Sequence, residues 1–186
     1  MSQKFKVFSI VICIFAIIFT VSVLPASSET DTLDLGFSGN FWLSGTINVE
    51  GYDADKDAGL LFRGFVDSIV VDKICVGGFL NIAPSVTVEG ESGRMYEIGG
   101  AFKYRTMIKD MPFKIGIGLG YRKMESDLTD DIDGLGVNAS AELQFNINKN
   151  FKPFAELGFL SQPSGGNSDY EVTWAPIIYL GGGLVF

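Results

Sequence analysis

From Leu33 to Glu50 the chain reads LDLGFSGNFWLSGTINVE, and apolar and polar positions alternate almost without error. Leu33, Leu35, Phe37, Phe41, Leu43, Ile47 and Val49 share one parity; Asp34, Ser38, Asn40, Ser44, Thr46, Asn48 and Glu50 share the other. Successive side chains of a strand point to opposite faces, so a period of two predicts one long strand with an apolar face and a small or polar face. The alternation returns at 74–88, 94–109, 113–122, 134–148, 151–160 and 172–186. The stretch LLFRGFVDSIVV is the least regular: Leu60, Phe62, Val66 and Val70 fall together, while Arg63 and Asp67 share their face with Leu61, Phe65 and Ile69. These segments add up to eight strands with no helical period between them. Short connections at Asp72, Asp110 and Lys149 alternate with longer ones, EGYDADKDA, EGESG, KMESDLTDDID and QPSGGNSDYE, which describes an up-and-down antiparallel meander. Pro84, Pro153 and Pro176 fall inside strands, where proline cannot donate to the ladder, so ragged pairing or a bulge is expected at each.

The volumes of the two faces decide which one is inside. An eight-stranded barrel has an interior just wide enough for side chains. The apolar faces carry Phe, Tyr, Leu and Ile, and the opposite faces carry Gly, Ser, Ala, Asn and charges, so the small and polar residues belong inside and Phe41, Leu119 and Leu143 outside. The predicted fold is therefore all-β, an eight-stranded antiparallel up-and-down transmembrane β-barrel. Aromatic positions support this: Phe37, Tyr104, Phe113, Phe145, Phe151 and Phe186 fall near one end, and Phe62, Tyr96, Tyr121, Phe159 and Trp174 near the other, as two interfacial girdles require.

Composition agrees with an exported, lipid-embedded chain. Lys4 and Lys6, an apolar run from Val7 to Leu24, and small residues at Ala26 and Ser28 read as a secretory signal peptide over 1–28, leaving a barrel domain over 29–186. The net charge of −8 disfavours a nucleic-acid partner. Cys13 lies within the export segment, so Cys75 has no disulfide partner in the mature chain and is expected to fill space.

The closing stretch IYLGGGLVF places Ile178, Leu180, Leu184 and Phe186 two residues apart on the lipid face, with Gly182 between them. It resembles the terminal sorting signal of bacterial outer-membrane barrels, and DSIVVDKICVGG and NKNFKPFAELGF are similar to the inner turns of the small eight-stranded members. The resemblance implies residence in the bacterial outer membrane, contact with its lipid and lipopolysaccharide, delivery by the barrel-assembly machinery and a monomeric state.

Candidate chemistry is sparse. The chain has no histidine, which removes Ser–His and Cys–His nucleophile pairs and histidine metal sites, and an enzyme is the least expected class. Arg63, Asp67, Glu97, Lys103, Arg105, Lys114, Arg122, Glu142, Lys152 and Glu156 fall on the inner faces, where charge demands a partner, and are read as a structural network filling the lumen. Asp53, Asp55 and Asp57, with Asp127, Asp130, Asp131 and Asp133, make two outer connections acidic without matching a calcium-loop pattern, and no metal or cofactor is expected. The expected role is structural or surface-interactive. A narrow channel for ions or small apolar compounds and a soluble, lipocalin-like carrier are the alternatives.

Overall fold

A computed structural model describes residues 33–126, 131–147 and 151–186. The export segment, Asp127, Asp130 and Lys149 lie outside the described residues. The strands are β1 (Leu33–Trp42), β2 (Gly45–Val49), β3 (Tyr52–Lys56), β4 (Gly59–Val71), β5 (Ile74–Val88), β6 (Glu91–Ile108), β7 (Met111–Ser126), β8 (Ile132–Gln144), β9 (Lys152–Gly166) and β10 (Val172–Val185). All pairings are antiparallel, and β1 pairs with β10, closing the ring.

Ten elements make eight walls. The register of β1 on β10, Gly36 opposite Val185 to Trp42 opposite Tyr179, continues without a shift into β2, where Ile47 faces Trp174. On its other side β1 on β4 continues equally without a shift into β2 on β3. Residues 33–49 are thus one long wall strand and 52–71 the next. Closure pairs every wall with two neighbours, which satisfies the backbone without water.

The two faces are divided as the alternation requires. Leu35, Phe41, Phe62, Phe102, Ile117, Leu119, Leu157 and Leu180 are exposed on the outside. Arg63, Asp67, Glu97, Lys103, Lys114, Arg122, Asn138, Glu142 and Glu156 are buried inside. Leu61 and Phe65 are buried with Arg63 and Asp67, which resolves the irregular fourth strand. A soluble carrier needs the reverse arrangement, so the lipocalin-like alternative is overturned by the apolar outer wall.

Two predicted outer loops are not loops. EGYDADKDA and EGESG turn on two residues each, Glu50–Gly51 (φ 50° and 87°) and Glu89–Gly90 (φ 49° and 86°). Positive φ at both central residues is the type I′ condition, the turn whose twist matches a hairpin. Asp53 and Asp55 therefore stand on β3, exposed and two residues apart, with Asp57 just past it, instead of converging in a loop.

The inward parity does not hold along the whole wall. Even positions 34–42 point inward on β1, but beyond residues 43 and 44 the buried residue is Ile47. The same inversion occurs between Lys56 and Leu61, between Ala83 and Val86, and between Trp174 and Ile177. Three bulges accompany it: Pro84–Ser85 in β5, Ala175–Pro176 in β10, and Gln162–Pro163 opposite Gly136. A bulge adds one residue to one strand and re-aims everything beyond it. Pro153 is different: it pairs in register with Leu184, and its carbonyl accepts from the Phe145 N–H at 2.7 Å.

The inversion corrects three expectations. Ile47, Val86 and Trp174, read as lipid-facing, are 1%, 2% and 2% exposed and point into the barrel. There they join Trp42, Leu61, Met95, Leu160, Ile177 and Tyr179 in an apolar cluster toward the outer end. The interior thus mixes charges with a small apolar cluster of Phe65, Phe79, Phe154 and Val185 in its inner and middle parts, and is mainly apolar toward the outside. Trp42 and Trp174 meet edge to face at 6.2 Å.

Candidate functional site

The lumen holds three connected polar groups. The first runs Asp34–Lys114–Asp67–Lys103–Glu142. Lys114 Nζ donates to Asp34 Oδ2 at 2.7 Å and Asp67 Oδ2 at 2.8 Å, and Lys103 Nζ to Asp67 Oδ2 at 2.9 Å and Glu142 Oε1 at 2.5 Å. Alternation alone delivers these side chains: Lys103 and Lys114 are inward positions of neighbouring strands, and Asp34 sits directly opposite Asp67. Two ammoniums thereby hold three carboxylates.

The second group centres on Glu156. Arg63 Nη1 donates to its Oε1 at 3.1 Å, Tyr179 Oη to the same oxygen at 3.2 Å, and Ser38 Oγ to Oε2 at 2.8 Å. The third centres on Glu97, whose Oε2 accepts from Arg122 Nη2 at 2.8 Å and Asn81 Nδ2 at 3.3 Å, while its Oε1 accepts from Asn138 Nδ2 at 3.3 Å. Gly136 leaves room for this carboxylate: a Cβ at that position would stand 2.4 Å from Glu97 Oε1 and displace it. Aromatic rings cover the cations, Phe65 at 4.3 Å from Lys103 Nζ and Trp174 at 4.9 Å from Arg122, which supports charge where water is scarce.

Of the ten residues read as lumen charges, eight lie in these groups. Arg105 and Lys152 are half-buried and belong to no ion pair found among the described residues. Asp34, Ser38, Asn40 and Asn138 fall on the faces read as inner but were not named in the network, and Asn81 and Tyr179 were not singled out. Parity was the available signal for Tyr179, which lies between the lipid-facing Ile178 and Leu180. Ile178, Leu180 and Phe186 are exposed on the outer wall, Leu184 is half-exposed, and Phe186 stacks on Phe37 at 6.4 Å. Cys75 is buried.

The outer rim is acidic and braced. Tyr52 Oη donates to Glu89 Oε1 at 3.0 Å, tying the tips of two hairpins, and this bond to Glu89 raises the phenol above its ordinary pKa. Lys123 Nζ contacts Asp131 at 2.7 Å and Glu125 at 3.0 Å, and Tyr121 Oη donates to Asp133 at 2.7 Å. Among the described residues no acidic cluster is arranged to hold a metal ion.

No family model matches the chain, and no curated protein matches it in sequence. Solved structures do match in fold. Neisserial surface protein A is similar over 85% of this chain and 98% of its own, with a TM-score of 0.65 at 10% identity. The outer membrane protein OprG from Pseudomonas aeruginosa is similar over 82% of this chain and 94% of its own, with a TM-score of 0.55 at 14% identity. Outer membrane protein AlkL, solved in lipid bilayers, is similar over 88% and 95%, with a TM-score of 0.51 at 16% identity. What this chain shares with these outer-membrane proteins is the fold, a small closed antiparallel β-barrel.

Proposed function

We propose that this protein is an integral outer-membrane barrel, closed along its axis, that serves as a lipid-anchored scaffold and meets its surroundings at the outer rim. The observation that carries the reading is the filling of the lumen. Arg63, Lys103, Lys114 and Arg122 are each no more than 2% exposed, and Trp42, Met95, Leu160 and Ile177 pack toward the outer end. Eight-stranded barrels have interiors that side chains can fill, whereas the sixteen- to eighteen-stranded porins leave an aqueous channel. In this reading residues 1–28 export the chain, Ile178, Leu180, Leu184 and Phe186 present it to the assembly machinery, and the mature protein is a monomer among outer-membrane lipid and lipopolysaccharide.

A narrow ion path is the second reading, and one observation favours it. Arg63 Nε and Nη2, Asp67 Oδ1, Glu142 Oε2 and Asn81 Oδ1 are buried without a protein partner among the described residues, and such atoms ordinarily bind water. Reconstitution into planar bilayers separates the two. The scaffold reading expects no unitary conductance steps from the wild type, and steps to appear when Trp42 and Trp174 are both changed to Ala. Stable steps from the wild type itself would establish the channel.

A further inference from the structure

Between β9 and β10 the ladder parts near the outer end. Gln162 faces Trp174, Gly166 bridges to Glu171, and the residues between them are unpaired across this seam. Pro163 has no N–H to offer, and the Gln162 side chain replaces a missing ladder bond, Nε2 donating to the Val172 carbonyl at 3.2 Å. The opening is therefore a built feature. A groove of about 510 Å³ lies along it, bordered by Thr46, Asn48 and Asp53 of the neighbouring hairpin and by Thr173 of β10.

The height of the groove and its chemistry narrow the ligand. On this side the outer wall is apolar up to Leu43 and Ile178, both exposed, and turns polar at Thr46 and Thr173. In an outer membrane, the reading on which this inference rests, that height is the headgroup and sugar layer. Asn48 is already committed, donating to Asp53 Oδ1 at 2.7 Å and accepting from the Gly51 N–H at 2.9 Å, so it orients the carboxylate. Two hydroxyls and an oriented carboxylate remain for a ligand, with the exposed Pro163 and Ala175 as apolar surface. Trp174 is 2% exposed, and its indole N–H has no acceptor among the described residues. Hydroxyls both donate and accept, and a carboxylate accepts only. That set matches a ring of hydroxyl groups. It disfavours phosphate, because Asp55 and Glu171 add further negative charge nearby.

We propose that this groove binds an uncharged, hydroxyl-rich saccharide unit, supplied by an outer-leaflet glycolipid or by a free glycan. The test uses the folded full-length barrel in neutral, sugar-free detergent, with folding verified by heat-modifiable gel migration. Tryptophan emission and calorimetry follow titration with dephosphorylated core oligosaccharide released from lipopolysaccharide by mild acid, with intact lipopolysaccharide, and with sugar-free anionic phospholipid vesicles. Saturable binding of the first two, or of intact lipopolysaccharide alone, is expected; the second pattern identifies the glycolipid as the source. Asp53→Asn with Thr173→Val is expected to weaken binding at least 10-fold, and Asp57→Asn to leave it within 2-fold. Thr46→Val serves where the double variant does not fold. No saturable sugar binding, equal binding to the sugar-free vesicles, or binding indifferent to these groove substitutions overturns the proposal. Because folding is checked in detergent, such a failure leaves the membrane reading standing, which cell fractionation tests separately.

Discussion

Lys103→Met is expected to destabilise the barrel by about 3–5 kcal/mol, the cost of stranding a buried charge by removing its partner. Lys103 holds both Asp67 and Glu142, and all three side chains are within 2% of full burial. Asp67 keeps Lys114 after the substitution, so Glu142 is the group left without a cation. Its Oε2 already has no partner among the described residues, which makes the loss harder to absorb. Adding Glu142→Gln removes the stranded charge, and the double variant is expected to recover more than half of the loss. Urea unfolding of barrels refolded in lipid, followed by gel migration of unheated samples, measures all members of the cycle. Equal stability of wild type and Lys103→Met would show that the pairing contributes nothing measurable to holding the wall.

Ile117→Arg is expected to cost about 2–4 kcal/mol in a bilayer, the penalty for a cation near the midplane of the lipid face. Ile117 is 65% exposed and lies midway along β7, between the exposed Ile115 and Leu119. On a water-soluble protein an exposed Ile exchanged for Arg changes stability by no more than about 0.5 kcal/mol. The same unfolding experiment therefore reads the solvent of the outer wall. Lys123→Ala, above the apolar belt where the side chain is 37% exposed, is expected to stay within about 0.5 kcal/mol of wild type.

What the sequence disclosed and what it hid have separate physical origins. Strand existence, wall number and the inside-out division followed from period two and from side-chain volume, both local to each strand. The export segment and part of one acidic connection lie outside the described residues. Bulges are properties of two strands at once, so they left only indirect traces. Pro84 and Pro176 mark two of them, and Pro163 a third that was not anticipated. Pro153 marks none, because it stands at the second position of β9, where pairing proceeds in register. Once those irregularities invert the parity, Ile47 and Trp174 face inward, and a reading that extends the inner pattern outward places them in lipid. The turns at Glu50–Gly51 and Glu89–Gly90 were hidden for another reason: acidic, glycine-containing segments look like loops, yet β3 continues the alternation with Ala54 and Lys56 buried between exposed aspartates. In the lumen, residue type revealed the charged members, while Tyr179 and the asparagines needed parity combined with partners known only in three dimensions.

Bulky apolar side chains face outward, where hydrocarbon would lie, while polar side chains fill the barrel. Both native tryptophans, Trp42 and Trp174, are at most 2% exposed inside the wall, so they give a background shielded from lipid. A tryptophan introduced by Leu119→Trp in the refolded protein, in bilayers of phospholipid brominated at mid-chain, reports which way this face looks. Strong quenching of the introduced residue with little quenching of the wild type is the predicted result. An unquenched residue at position 119 would contradict it and place the apolar wall out of reach of lipid.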